Sequence, residues 1–160
     1  MRNNLPGRTS PIAVGDVAPD FTLPDQNRAE WKLSDALKKG DVVLSFIPFA
    51  FTSVCSTEMR CISDDVATWS AKGATVVGVD CDSFAANKEW AAKENYSHTI
   101  LSDLHRDVVK AYGLYWSDLN VANRGTVVIS GGPKGTGKVK FVQARPPSQA
   151  MDWKAVLELV

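Results

Sequence analysis

Runs of apolar residues recur along the chain and predict the strands of a central sheet. Residues 42–47, 75–79 and 126–129 are almost entirely apolar, which is typical of strands buried on both faces. Residues 139–142 alternate more strongly between apolar and polar positions. This alternation predicts a fourth strand that lies antiparallel beside the third.

Helical periodicity appears between these runs. In residues 55–69, Met59, Ile62, Val66 and Trp69 recur at the spacing of one helix face, which predicts a helix with a buried stripe. Further helices are predicted at residues 34–37 with Ser34 as N-cap, at 85–95 with Trp90 turned inward, at 107–112 and at 149–159. The order β-α-β-α-β-β-α predicts an α/β fold in which helices flank a central mixed sheet.

The remaining pattern concerns the N-terminal part of the chain. Residues 1–15 contain Pro6 and Pro11 and little apolar pattern, which predicts an arm. Residues 21–23 and 31–33 alternate around a polar turn and predict a hairpin extension. Since 160 residues suit one domain, we expect residues 16–160 to form it.

Composition and charge exclude several classes of protein. The chain is 44% apolar, and its 18 basic residues balance its 18 acidic ones, so we expect no nucleic-acid partner and no attachment to an anionic membrane. No apolar run approaches the roughly 18 residues needed to span a bilayer. The first six residues are too polar for a signal peptide. These features predict a cytoplasmic protein.

The cysteines are the main candidates for reactive residues in the chain. Cys55, Cys61 and Cys81 are an odd number, which favours free thiols or one redox pair. Together with His98 and His105 they do not form the paired hooks of a zinc site, so we expect no metal and no other cofactor. The absence of a Cys-x-x-Cys motif disfavours a thiol–disulfide oxidoreductase.

Cys55 has the most reactive position of the three. It follows a buried strand and the loop 48–54, and it opens the predicted helix. The unpaired N–H groups and the positive dipole of a helix N-terminus favour a thiolate over a thiol. The alternative is that Cys55 is only a small buried hydrophobe, since it projects on the same side as Met59 and Ile62.

The residues around Cys55 point to one family. Pro48, Thr52 and Cys55 follow the pattern Pro-x-x-x-Thr-x-x-Cys, and Glu58 continues it. This pattern resembles the signature of the peroxiredoxins. The resemblance extends over nearly the whole chain, from residues 17–23 to residues 123–126, and is closest to the AhpE-like and bacterioferritin-comigratory branches. It implies a thioredoxin-like fold and a thiol peroxidase for hydrogen peroxide and organic hydroperoxides.

The resemblance also implies a role for each site residue. Cys55 would be the peroxidatic cysteine, which attacks the nearer peroxide oxygen and becomes a sulfenic acid. Thr52 would offer its hydroxyl to the thiolate and the peroxide, and Pro48 would shield the pocket. Arg124 would keep the thiolate charged and stabilise the leaving oxygen. Glu58 would orient Arg124 through a charge-assisted bond.

The sequence leaves several candidates for the thiol that reduces the oxidised Cys55. Cys61 lies six residues after Cys55, about 9 Å further along an intact helix, so a disulfide would require unwinding. Cys81 follows the second buried strand, at the end expected to face the site. The third option is a one-cysteine cycle with an outside reductant: a mycoredoxin, thioredoxin or low-molecular-weight thiol.

Two further expectations concern partners. Similar proteins are often dimers, so we expect a homodimer, with Trp116 as a candidate interface residue. A competing hypothesis is a redox-sensing or holdase-type interaction protein that relays oxidation from Cys55. The Thr52, Glu58 and Arg124 set favours turnover, because a sensor needs only an accessible thiolate.

Overall fold

A computed structural model describes residues 2–160 of the chain. Its elements in chain order are β1 (Thr22–Pro24), β2 (Glu30–Lys32), α1 (Leu33–Leu37), β3 (Val42–Phe46), α2 (Ser53–Asp64), α3 (Val66–Ala71), β4 (Thr75–Asp80), α4 (Phe84–Glu94), β5 (Thr99–Ser102), α5 (Asp107–Ala111), β6 (Tyr115–Trp116), β7 (Val121–Ala122), β8 (Gly125–Ile129), β9 (Val139–Ala144) and α6 (Trp153–Leu157).

Five of these strands form the central sheet in the order β5-β4-β3-β8-β9. The pairs β3–β4 and β4–β5 are parallel, whereas β3–β8 and β8–β9 are antiparallel. The predicted mixed sheet is therefore confirmed, and so is the antiparallel position of the fourth predicted strand. The predicted hairpin is β1–β2, which forms a separate two-stranded sheet.

The apolar run in β3 is buried on both faces because each face has its own helical layer. Val42, Leu44 and Phe46 belong to one hydrophobic cluster, with residues of α1, α5 and the β1–β2 hairpin. Val43 and Ile47 belong to a second cluster, with residues of α2, α3, α4 and α6. Alternation along a strand sends neighbouring side chains to opposite faces, so β3 contributes to both cores.

The long helix predicted over residues 55–69 is wrong in its extent. The structure begins α2 two residues earlier, ends it at Asp64 and starts α3 at Val66. The break lies at Asp65, whose φ of −103° and ψ of 12° leave the helical region. Two adjacent aspartates at the negative end of a helix dipole disfavour continuation there.

Other boundaries differ for local reasons. Ser34 is not an N-cap, because α1 starts at Leu33 after Lys32, which makes no side-chain capping bond. The terminal helix is shorter than predicted and starts at Trp153, where the Asp152 side chain accepts two backbone amides. Strands β5, β6 and β7 were not predicted, since runs of four and two residues are too short to show a clear period.

The described part of the arm, residues 2–15, has no helix or strand but contacts the domain. The Arg8 amide donates to the Lys110 carbonyl at 2.9 Å, and the Ile12 amide donates to the Tyr112 carbonyl at 3.0 Å. The Ile12 side chain is buried in the first hydrophobic cluster. Within residues 2–160, no helix combines the length and the apolar character that crossing a bilayer requires.

Candidate active site

Cys55 lies at the point where β3 passes into α2. Beyond β3 the chain continues through buried Pro48 and a turn, and α2 then begins at Ser53. Cys55 is the third residue of α2 and is completely buried. The first amides of a helix have no partner within it, so its positive end faces the Cys55 region.

The guanidinium of Arg124 connects Cys55 to its surroundings. Its Nη2 donates to the Cys55 Sγ at 3.0 Å, and its Nε donates to the Pro147 carbonyl at 2.8 Å. Its Nη1 donates to Glu58 Oε2 at 2.6 Å. Arg124 is only 2% exposed, so these bonds hold its charge in a region that water barely reaches.

Glu58 is bound by a second arginine that the sequence analysis missed. Arg145 Nη2 donates to Glu58 Oε1 at 2.7 Å, and the Met151 amide donates to the same oxygen at 2.9 Å. Arg145 follows β9, and its own amide donates to the Arg124 carbonyl at 2.9 Å. The antiparallel pairing of the third and fourth predicted strands was the signal that could have placed Arg145 beside Arg124.

The charges in this buried cluster balance only when Cys55 is a thiolate. Arg124 and Arg145 contribute two positive charges, and Glu58 contributes one negative charge. A thiol would leave one positive charge uncompensated, and a buried unpaired charge is costly. The cluster can therefore stabilise a thiolate at Cys55 and negative charge that develops close to it.

Thr52 and Pro48 lie where the signature predicted, although one expected contact differs. The Thr52 hydroxyl donates to the Phe49 carbonyl at 2.9 Å instead of to the cysteine sulfur, which closes the turn before α2. The hydroxyl oxygen keeps lone pairs for an approaching ligand. Pro48 is buried and contributes to the lining of the pocket at Cys55.

A pocket of about 200 Å³ opens above Cys55. Its lining residues are Pro48, Phe49, Thr52, Ser53, Val54, Cys55, Trp116, Arg124 and Pro147. Apolar side chains thus form most of the wall, while the Cys55 thiol, the Arg124 guanidinium and the hydroxyl groups of Thr52 and Ser53 supply the polar groups. A larger cavity of about 460 Å³ lies at the hairpin and α1, and none of the cysteines lines it.

Comparison with known proteins matches residues 14–139 to the AhpC/TSA family. The chain belongs to this peroxiredoxin family. It is 30% identical over 143 residues to alkyl hydroperoxide reductase E of Mycobacterium tuberculosis. The aligned region covers 88% of this chain and 91% of the relative. The family recognised from the residues around Cys55 is therefore confirmed.

Solved structures support the same fold for this peroxiredoxin. The peroxidoxin BcpB of Mycobacterium tuberculosis superposes with a TM-score of 0.81 at 28% identity, over 93% of this chain and 98% of the other. A reduced 2-Cys peroxiredoxin of Plasmodium vivax superposes with a TM-score of 0.82 at 25% identity, over 93% and 80%. The predicted thioredoxin-like fold is confirmed.

The other two cysteines of this peroxiredoxin lie apart from the pocket lining. Cys61 is exposed on α2, and partial burial and the neighbouring Asp64 raise the pKa of its thiol. Cys81 belongs to the first hydrophobic cluster, whereas Cys55 belongs to the second, so the sheet separates them. Burial raises the pKa of Cys81 to about 12, which opposes thiolate formation. Within residues 2–160, no group of three potential ligands is placed to hold a metal ion.

Proposed function

We propose that this peroxiredoxin reduces hydrogen peroxide and organic hydroperoxides through the thiolate of Cys55. The observation that carries the proposal is the 3.0 Å hydrogen bond from Arg124 Nη2 to Cys55 Sγ at the base of an open pocket. A donor at this position stabilises a thiolate before the reaction. The same guanidinium can stabilise charge on an oxygen that approaches the sulfur.

The reaction follows from these positions. The Cys55 thiolate attacks the nearer oxygen of the peroxide, so that a sulfur–oxygen bond forms as the oxygen–oxygen bond breaks. The departing oxygen takes the electron pair of the broken bond and a proton from the solvent, and it leaves as water or an alcohol. Arg124 faces the developing charge, and the Thr52 hydroxyl oxygen accepts a hydrogen bond from the peroxide. Cys55 ends as a sulfenic acid.

Glu58 and Arg145 act by holding Arg124 in place. Glu58 accepts hydrogen bonds from both guanidinium groups, and all three side chains are buried. A guanidinium fixed in this way does not need to reorganise when charge appears on the substrate, which is the main source of electrostatic catalysis.

A thiol reductant resets the enzyme, and we propose that it comes from outside the chain. An incoming thiol condenses with the sulfenic acid to a mixed disulfide and water, and a second thiol then releases the Cys55 thiol. The position of Cys81 across the sheet and the intact helix between Cys55 and Cys61 both favour this one-cysteine cycle. A mycoredoxin, a thioredoxin and a low-molecular-weight thiol are the reductants to compare.

The homodimer and the cytoplasmic location stay predictions. Trp116, the proposed interface residue, is half-buried at the pocket, and the nearby Leu119 is 49% exposed. A partner surface at these residues would lie next to the substrate pocket. The sensor or holdase alternative is not favoured, because the family and its named relatives are peroxide reductases.

Rapid-mixing kinetics test the proposal directly. Reduced wild type, Cys55→Ser, Cys61→Ser and Cys81→Ser are each mixed with one equivalent of hydrogen peroxide or cumene hydroperoxide. Tryptophan fluorescence follows the reaction, and mass spectrometry identifies the product. We expect a fast reaction that only Cys55→Ser abolishes, with one added oxygen on Cys55. A wild type that reacts no faster than free cysteine would refute the proposed function.

A further inference from the structure

The turn before α2 is held by a carboxylate from a distant part of the chain. Asp82, two residues after β4, accepts the backbone N–H of Ala50 on its Oδ2 at 2.9 Å. Ala50 lies inside the turn that Thr52 closes through its hydroxyl bond to Phe49. The Asp82 bond spans 32 positions of the chain, so it ties the turn to the end of the neighbouring parallel strand.

This turn requires support from outside. Phe51 has a φ of +63° although it carries a side chain. A left-handed conformation is strained for such a residue, so it persists only where surrounding contacts impose it. The Phe51 ring packs on Trp90 with centroids 6.1 Å apart, which supports one side of the turn. The Asp82 carboxylate supports the backbone at the preceding residue.

Asp82 is itself firmly placed. Its backbone N–H donates to Asp80 Oδ1 at 3.1 Å, and its carbonyl accepts a hydrogen bond from the Ser102 hydroxyl. Asp80 and Ser102 are the last residues of β4 and β5. The neighbouring parallel strands β4 and β5 therefore fix the backbone that presents the Asp82 side chain to Ala50.

We propose that Asp82 is a positioning residue of the peroxidatic site, acting through the Ala50 amide. The inference rests on the proposed function, since it concerns the reactivity of Cys55. By holding Ala50, Asp82 sets the turn that places Phe49 and Thr52 in the pocket wall. Asp82 lies outside the pocket lining and supplies no reacting atom. Its effect falls on the alignment of the peroxide, not on the thiolate itself.

Two rates measured on the same variants separate alignment from general damage. The variants are Asp82→Ala, Asp82→Asn and the matched control Asp25→Ala. Asp25 accepts the amides of Asn27 and Ala29 in the hairpin turn, outside the pocket lining. The first rate is that of Cys55 oxidation by hydrogen peroxide. The second is alkylation of Cys55 by iodoacetamide, followed by mass spectrometry of its peptide, which requires a thiolate but no aligned peroxide.

We expect Asp82→Ala to lower the peroxide rate about tenfold to a hundredfold, while alkylation changes by less than about threefold. Asp82→Asn should stay within about threefold of wild type in both rates, because its amide oxygen can still accept the Ala50 N–H. Asp25→Ala should change neither rate. If Asp82→Ala does not fold, Asp82→Ser is measured instead, and the same changes in the two rates are expected. The serine side chain is shorter than that of aspartate, so its hydroxyl does not reach the Ala50 N–H.

Three outcomes would overturn the inference. The first is a peroxide rate of Asp82→Ala within about threefold of wild type. The second is an equal loss in both rates, which would mean general damage around Cys55. The third is a loss in Asp82→Asn as large as in Asp82→Ala. A wild type no faster than free cysteine would refute the proposed function and this inference together, whereas a fast wild type with an unaffected Asp82→Ala refutes the inference alone.

Discussion

At the scale of single residues, Glu58 forms ion pairs with two buried arginines and fixes their orientation. Arg124, just before β8, and Arg145, just after β9, bind its two carboxylate oxygens. Without the carboxylate, two buried positive charges would face each other beside Cys55. Such an uncompensated arrangement costs several kcal/mol, so the arginines would be displaced or hydrated. Glu58 is therefore a structural requirement for a single fixed donor at the sulfur.

Asp80 is a second buried acid, and its protonation affects stability. It is completely buried at the end of β4, where Oδ1 accepts a bond from Asn87 Nδ2 at 2.8 Å. Its Oδ2 has no hydrogen-bond partner among residues 2–160. Burial, with a smaller contribution from the Asp82 charge, raises the pKa of Asp80 from 3.8 to about 8. At neutral pH the folded protein therefore holds a proton on Asp80 that the unfolded chain has released.

The proton on Asp80 determines whether the free energy of unfolding rises or falls with pH. Between about pH 4 and about pH 8 the unfolded state binds fewer protons than the folded state, so the free energy of unfolding falls as pH rises. Asp80→Asn removes the titration and keeps an acceptor for Asn87. We expect its stability advantage over wild type to grow by about 1–2 kcal/mol from about pH 6 to about pH 8.

Urea unfolding of wild type and Asp80→Asn at several pH values measures this difference. Asp118→Asn, on an exposed turn, is the control and should follow wild type at every pH. Parallel stability curves for wild type and Asp80→Asn would contradict a protonated Asp80 in the folded state.

At the scale of elements, the first turn of α2 is bound to α4 and the segment that follows it. Ser56, next to Cys55, accepts a bond from Trp90 Nε1 on its hydroxyl at 3.3 Å and from the Tyr96 hydroxyl on its carbonyl at 3.0 Å. The Trp90 and Tyr96 rings pack edge to face with centroids 5.4 Å apart. These contacts oppose unwinding of the turn that carries the proposed peroxidatic cysteine.

The integrity of α2 predicts the product of oxidation. Cys55 and Cys61 are six residues apart on one continuous helix, which places their Cα atoms roughly 10 Å apart, beyond the ~7 Å limit for a disulfide. We expect one equivalent of peroxide to leave a sulfenic acid on Cys55 that persists until a thiol is added. Cys61→Ser should oxidise at the wild-type rate.

Trapping with dimedone followed by intact-mass analysis distinguishes the two products. The sulfenic acid adds dimedone, whereas a disulfide does not. A disulfide that disappears in Cys61→Ser would show that α2 unwinds during the cycle, and one that disappears in Cys81→Ser would require rearrangement across the sheet.

At the scale of the whole molecule, the arm completes the core on the face away from Cys55. Ile12 is 1% exposed within the cluster that also contains Val108 and Tyr112. Gly113 allows this contact, because its φ is +68° and a Cβ there would lie 1.9 Å from the Ser10 carbonyl oxygen. The arm is therefore packed against α5 as part of the folded unit.

A pair of substitutions in the arm tests this contribution. Ile12→Ala removes buried apolar volume, so we expect the free energy of unfolding to fall by about 2–4 kcal/mol. Val14→Ala, at a side chain that is 63% exposed, should change it by less than about 0.5 kcal/mol. Urea unfolding monitored by circular dichroism measures both. Equal values for the two variants would mean that the arm does not stabilise the domain.

Local pattern was enough to predict most of the sheet and most of the proposed site. The strands predicted at residues 42–47 and 75–79 are almost entirely apolar because each is buried on both faces. Pro48, Thr52 and Glu58 stand within one turn or loop of Cys55, so their grouping follows from chain connectivity alone. Arg124 is distant, and the family resemblance placed it beside them.

The sequence by itself thus determined the fold class, and it identified the proposed nucleophile and the residues adjacent to it along the chain. Only the tertiary structure brought Arg145 to Glu58 and Asp82 to Ala50, because those contacts depend on how separate strands pair and where they end. It also placed Cys81 on the face opposite Cys55. The alternation of side chains along β4 shows which residues share a face of the sheet. It does not show which of the two faces α2 packs against, and α2 carries Cys55.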